Sequence, residues 1–351
     1  MEPVAVASIP AGQARVPSPT FGVPAAALRR APTAPAPVPG EIVRRVALDA
    51  LGRRFEVAVT TVVAGAGFGK TTALAQAVRA NLAEPRGIDA WVSCEPGDGH
   101  AGRLAAAIVS ALGGELGTAR DPLEAVLSAF SRHAPVDVCL VVDDVHEVAP
   151  GSSGADLLAG LVRRIPPHAH LALAGRTPPP VPLARLRAAG QVVDLDETAL
   201  LFSDAEVDCL VRASGRGAEP VGAHAGWPSL VRLALSAPQA VSGFLREEVV
   251  SRLAPTRREQ LLALAVLGWG TASDVAEVIG RGPVDLDALV AAVPLIARDG
   301  HGRYRAHQLW EDAAGDVFDA SELGTARERA LRLFERRGET PRLGWRALQW
   351  Q

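Results

Sequence analysis

Between residues 57 and 195, short apolar runs alternate with stretches of helical period. The runs predict strands at about Val57–Ala64, Ala90–Cys94, Val136–Val142, His170–Gly175 and Gln191–Leu195. The stretches between them predict helices from Lys70 to about Leu82, near Arg103–Leu112, at Pro122–Ser131 and over Gly154–Arg164. A short helix within Glu41–Phe55 precedes the first strand. The third run is almost unbroken, as expected of a strand covered on both faces. Strands alternating with helices imply a parallel sheet between two helical layers.

After Leu201 the period is helical only, over Pro228–Ala237, Phe244–Leu253, Thr256–Leu267 and Ser273–Ile279. Ser203 and Glu206 have capping-box spacing, each able to satisfy the other's backbone amide. Pro294–Arg298 and Arg303–Arg305, joined by Asp299-Gly300-His301-Gly302, predict a β-hairpin. Helices followed by a hairpin suggest a winged-helix-like unit. A last helix is expected from about Glu322 to Arg337.

Composition narrows the class. Apolar residues make up 48% and charged residues 21% of the 351 positions, which is globular rather than disordered. The net charge of −3 comes with no basic run longer than a pair such as Arg163-Arg164. That argues against nucleic-acid binding by bulk electrostatics. No apolar run approaches a membrane span of roughly 18 residues. The start, Met1-Glu2-Pro3, lacks the pattern of a signal peptide, so a cytoplasmic location is expected. Cys94, Cys139 and Cys209 are scattered, and Cys94 and Cys139 lie in strand-like runs. Buried reduced thiols fit better than a bridge or a metal site. Residues 1–39, rich in Pro and Ala, should form a disordered or extended tail.

The chemistry gathers at one loop. The first strand leads into Ala64-Gly65-Ala66-Gly67-Phe68-Gly69-Lys70-Thr71-Thr72. Strand, glycine-rich loop, then Lys-Thr opening a helix is the arrangement of a nucleotide-phosphate site. Lys70 is the only lysine among 36 basic residues. A compact ammonium fits inside a tight phosphate-binding loop where a planar guanidinium does not. Ala64 stands where the first Walker A glycine is usual. Loop amides and the positive end of the following helix would hold phosphate. Lys70 would bridge the β- and γ-phosphates, and the Thr71 hydroxyl would hold Mg²⁺.

The third run ends in Asp143-Asp144, at the carboxyl edge of the sheet where such folds bind ligands. Asp143 fits the Walker B role on Mg²⁺, and Asp144 could orient or activate water. Arg176 ends the fourth strand, which should lie beside the loop strand. It can sense a γ-phosphate or pair with a carboxylate at the sheet edge. These residues define the expected fold class: α/β, a P-loop NTPase with a five-stranded parallel sheet, then a helical and a winged-helix-like domain. The expected boundaries are 40–200 for the nucleotide-binding part, 201–254 for a helical lid, 255–320 for the winged-helix-like part and 321–351 for a C-terminal helix.

Several blocks together resemble one family. They are Ala64–Leu74, Leu140-Val141-Val142-Asp143-Asp144, Trp91-Val92-Ser93 with Asp98, Ala174–Pro179, Leu183–Gly190 and Leu201-Phe202-Ser203. Gly226-Trp227-Pro228, Phe244–Val249 and Tyr304–Trp310 complete the set. Their order and spacing are similar to MalT-type, LuxR-family large ATP-binding transcription regulators. These are bacterial STAND-class signalling NTPases, in which alanine at the position of Ala64 is common. The resemblance covers about Ile42 to Phe334.

It implies a switch that holds ADP when closed. ADP is exchanged for ATP when an inducer binds, and the protein then oligomerises to activate transcription, with slow hydrolysis. It also implies that Pro228 packs near the base and that His307 contacts the ADP β-phosphate. His307 could equally be a helix-start histidine satisfied by backbone groups. Arg44 resembles the segment beside the adenine, though a solvated helix face would also explain it. The inducer is not identifiable, and no DNA-binding domain is visible. Ser273–Ile279 carries Asp274 and Glu277 rather than arginines. The chain is therefore expected to be the switch module alone, with the sensor region truncated or missing. A continuously cycling AAA+-like ATPase and a non-hydrolysing, nucleotide-stabilised interaction domain are the alternatives.

Overall fold

The computed structural model describes residues 34–37, 40–116, 121–215 and 226–337. Apart from 34–37, the expected tail lies outside the described residues, as does the chain beyond 337. Five parallel strands form the main sheet: β1 (Val59–Val63), β2 (Ile88–Ser93), β3 (Val138–Asp143), β4 (Ala169–Gly175) and β5 (Val192–Leu195). Their order is β2-β3-β4-β1-β5, so β1 lies between β4 and β5. Register pairs Val63 with Gly175 and Ser93 with Asp143, which brings four strand ends to one edge. Every residue of β3 and β4 is buried, which explains their unbroken apolar runs.

Helices Lys70–Ala83, Ala101–Ala111, Pro122–Ser131 and Ser153–Arg164 follow the expected places within two or three residues. Cys94 and Cys139 are buried and Cys209 is exposed, all three as free thiols. At the opposite edge of the sheet, Arg54 forms a buried pair with Asp89 at 2.7 Å, and Asn81 donates to the same carboxylate. A guanidinium and a carboxylate enclosed together satisfy one another.

Beyond the sheet come helices Asp204–Ser214, Pro228–Ser236, Val241–Glu248, Pro255–Leu267 and Ala272–Ile279. The Ser203–Glu206 capping box is present, and Thr271 with Asp274 forms a second. The hairpin pairs β7 (Ile296–Arg298) with β8 (Tyr304–Ala306). A two-residue strand, β6 (Trp269–Gly270), joins the outer side of β8. Helix Gln308–Val317 and helix Ala320–Arg337 follow. Asp274 pairs with Arg337 and Glu277 with Arg336. The two carboxylates that replace basic residues on helix Ala272–Ile279 thus hold the C-terminal helix against it.

The apolar core does not stop near residue 200. One cluster runs from Val62, Ala64 and Phe68 through Trp227 and Leu245 to Leu264 and Trp310. A second fills the opposite face of the sheet around Leu104, Phe130 and Leu158. Among the described residues, no helix is long and apolar enough to cross a membrane.

Candidate phosphate-binding site

The loop from Ala64 to Gly69 leaves β1 and enters helix Lys70–Ala83. Gly67 and Gly69 both take φ of +74°, a left-handed conformation that costs a side-chain-bearing residue roughly 1–2 kcal/mol. Those two turns divide the loop's polar groups by destination. Every loop carbonyl is engaged. The Lys70 ammonium donates to Ala64 O and Gly65 O, each at 2.8 Å. The Trp227 indole donates to Ala66 O at 3.2 Å, and the Ser229 amide to Gly67 O at 3.0 Å. Arg44 donates to Phe68 O at 2.9 Å and Gly69 O at 3.4 Å.

The amides fare differently. Gly65 N–H donates to the Glu197 carboxylate at 3.1 Å. Among the described residues, no protein group accepts from the amides of Ala66 to Thr71. Consecutive free amides at a helix start are an anion-binding arrangement. The residues present therefore fit a phosphate group.

Lys70, 8% exposed, lies among these groups. Burial, and next the Arg176 guanidinium, push its ammonium below the ordinary lysine range. Thr71 Oγ1 donates to Asp143 Oδ2 at 2.7 Å, and the Asp144 amide donates to Asp143 Oδ1 at 3.0 Å. Burial raises Asp143 above the usual carboxylate range. A hydroxyl and a carboxylate side by side at the strand edge are the hard oxygen donors a magnesium ion takes. Asp144 stands in the left-handed region at φ 53°. Its carboxylate lies 3.9 Å from His146 Nδ1, a buried nitrogen with no hydrogen-bond partner.

Arg176 follows β4 and sits within the field of Lys70. It also pairs with Glu248, at the end of helix Val241–Glu248, at 3.5 Å. The carboxylate partner that the sequence left open is thus Glu248. Pro228 opens its helix as a buried first residue, 4.0 Å from where a Cβ on Gly69 would stand. His307 caps helix Gln308–Val317, accepting from the Leu309 amide at 3.1 Å through Nδ1. Its own amide donates to Leu295 O at 2.9 Å. The backbone-satisfied reading of His307 therefore has its partners in this structure.

Aromatic residues pack the loop from several points of the chain. Phe68, fully buried, stacks on Trp227 with ring centroids 4.9 Å apart, and Phe244 meets Trp227 edge-on at 6.0 Å. A Cβ on Gly67 would lie 2.7 Å from Phe244 and from Ser229. A Cβ on Gly65 would lie 2.9 Å from Pro294, whose carbonyl is held by the Trp310 indole. Glu197 was not anticipated at all. Arg44 is 3% exposed, which rules out the solvated-face reading. Burial lowers its guanidinium to about 10.

The β2-β3-β4-β1-β5 order, with the glycine loop after β1 and a carboxylate ending β3, is that of a P-loop NTPase fold. No family model matches the chain, and no curated protein does. Among solved structures, it is similar to a STAND ATPase with a tetratricopeptide-repeat sensor from Pyrococcus horikoshii. Identity there is 18%, coverage 89% of this chain and 48% of that one, and the TM-score 0.43. The chain thus spans about half the length of that protein. It is also similar to Aeropyrum pernix ORC1, solved with DNA, at 14% identity, 78% and 92% coverage and a TM-score of 0.38. For Thermotoga maritima RuvB the values are 15%, 76% and 91%, and 0.36.

Proposed function

We propose that the chain binds ATP and ADP with Mg²⁺ and works as a STAND-type switch that hydrolyses ATP slowly, as the nucleotide module of a transcription regulator. The observation that carries this reading is the division of the loop's polar groups. Carbonyls 64 to 69 are taken by protein donors, several from outside the sheet, while the amides of Ala66 to Thr71 are not taken. A ligand on the amides stiffens the loop from inside while Trp227, Ser229 and Arg44 grip it from outside. Two bindings that order one element favour each other, and the coupling is reciprocal.

In this reading the amides and Lys70 hold the phosphates, and Thr71 and Asp143 hold Mg²⁺, whose charge offsets that of the phosphates. Asp144 orients water. Arg176 has two anionic partners open to it, Glu248 and a γ-phosphate, so phosphate number can bias the Glu248 contact. That Pro228 borders the base and that His307, whose Nδ1 accepts from the Leu309 amide, contacts the β-phosphate rest on the MalT-type resemblance. So do adenine specificity, self-association in the ATP state and response to an inducer.

The test is the nucleotide content and turnover of the purified protein. Retained ADP with turnover below about 1 s⁻¹ supports the switch, and turnover near the enzyme median of roughly 10 s⁻¹ makes it a cycling ATPase instead. Bound ATP with no hydrolysis makes it an interaction domain.

A further inference from the structure

Helix Val241–Glu248 lies against the phosphate loop. Phe244 reaches the loop from it: a Cβ on Gly67 would meet that ring at 2.7 Å, and the ring also packs edge-on against Trp227. Glu248 follows four residues later, about one helical turn on, so both side chains stand on one face of the helix. That spacing carries a carboxylate to Arg176, at 3.5 Å. Arg176 is itself held beside the loop. Gly175, just before it, accepts the Ala64 amide at 3.2 Å, and Ala64 O receives the Lys70 ammonium at 2.8 Å.

The place is a poor one for a carboxylate. Glu248 is the last residue of its helix, where the carbonyl end of the dipole disfavours negative charge. Two guanidinium groups offset this. Arg252 Nη2 lies 2.9 Å from Glu248 Oε2, and Arg176 Nη1 lies 3.5 Å from the same oxygen. The Arg252 contact is the closer, and it is local. The Arg176 contact is the longer, and it crosses from the sheet edge to the helical part. Arg176 can therefore turn away without stranding Glu248, since Arg252 still pairs with it. Among the described residues, Arg176 has no other ion-pair partner.

We propose that Glu248 sets the nucleotide preference of the site: it competes with a γ-phosphate for Arg176, and so favours a nucleoside diphosphate over a triphosphate. The proposal rests on the nucleotide reading of the loop. A diphosphate leaves the Arg176–Glu248 pair intact. A triphosphate brings a further anion to the same guanidinium, which either serves two like charges or leaves Glu248 to Arg252 alone. The Arg176 and Glu248 side chains are 33% and 31% exposed, so solvent screens the pair. Pairs this exposed shift an equilibrium by about two- to fivefold.

The test measures binding of MgADP and of ATPγS with Mg²⁺ to the nucleotide-free full chain by calorimetry. The readout is the ratio of ATPγS to ADP affinity. Glu248→Gln keeps the shape and removes the charge, and should raise that ratio about two- to fivefold. Arg252→Gln takes away the partner that holds Glu248 when Arg176 turns, and should lower the ratio. In an Arg176→Gln background, Glu248→Gln should no longer alter it, an outcome that a merely structural Glu248 does not produce. A ratio unmoved by Glu248→Gln, or moved equally in the Arg176→Gln background, overturns the proposal and leaves the nucleotide reading standing. Binding of neither nucleotide by the parent protein overturns both. Unfolding of Glu248→Gln shows in circular dichroism, and the direction of the Arg252→Gln shift then decides.

Discussion

Trp227→Phe separates the grip on the phosphate loop from the loop's own chemistry. Trp227 is 0% exposed, stacks on Phe68 at 4.9 Å and donates its indole N–H to Ala66 O at 3.2 Å. Phenylalanine keeps a ring for the stack but removes the donor and part of the volume. The lost hydrogen bond is worth about 0.5–1.5 kcal/mol, and an enclosed carbonyl left unpaired costs about 1–3 kcal/mol. Complete truncation of a buried tryptophan costs about 3–5 kcal/mol, so a loss near 2 kcal/mol is expected for this milder change.

If Trp227 and nucleotide order the same loop, part of that loss appears as weaker nucleotide binding. A coupling of about 1.4 kcal/mol accelerates ADP release tenfold. Release of a fluorescent ADP analogue, chased with unlabelled ADP in stopped flow, reads this rate. Urea unfolding without nucleotide reads the stability. A lower stability with an unchanged release rate refutes the grip and leaves Trp227 as a core residue only.

Lys70→Ala should weaken nucleotide binding by about 10- to 100-fold, from the 1.5–3 kcal/mol of a charged hydrogen bond, measured by calorimetry. Unchanged affinity refutes the loop assignment. His307→Ala and His307→Asn differ in one respect, since asparagine can still cap helix Gln308–Val317. Faster ADP release in both variants supports a phosphate contact, and normal release in His307→Asn leaves a cap. Glu197 has its pKa raised above 4.5, chiefly by burial. A raised carboxyl favours the folded state while protonated, and that contribution is lost as pH rises through the folded value. Glu197→Gln keeps an acceptor for Gly65 and carries no charge. Its stability relative to the parent should therefore rise between pH 4 and pH 7 in urea unfolding of the nucleotide-free protein, and a flat difference removes the electrostatic account.

The strands, the loop and the carboxylate pair were readable because each depends on neighbours close in sequence. A run buried on both faces must be apolar throughout, as in β3 and β4. Gly67 and Gly69 take left-handed φ, so the loop announces itself in residue type. Strand β6 escaped notice because two residues, Trp269 and Gly270, carry no period. For Arg44 the sequence left two readings, a segment beside the nucleotide and a solvated helix face, and only the structure removes the second, because the side chain is enclosed by loop carbonyls and the Phe202 ring.

Residue order alone decided that the chain would present a phosphate-type loop after a buried strand, with a carboxylate on a neighbouring strand end. Local backbone sterics and the apolar period leave little choice there. Which groups close on that loop was decided only in three dimensions. Glu197, Trp227, Ser229, Pro294 and Arg44 reach it from distant points of the chain. Packing brings them there because Phe68 and the face of the sheet behind it need apolar cover, and the helices that supply this cover carry those residues to the loop.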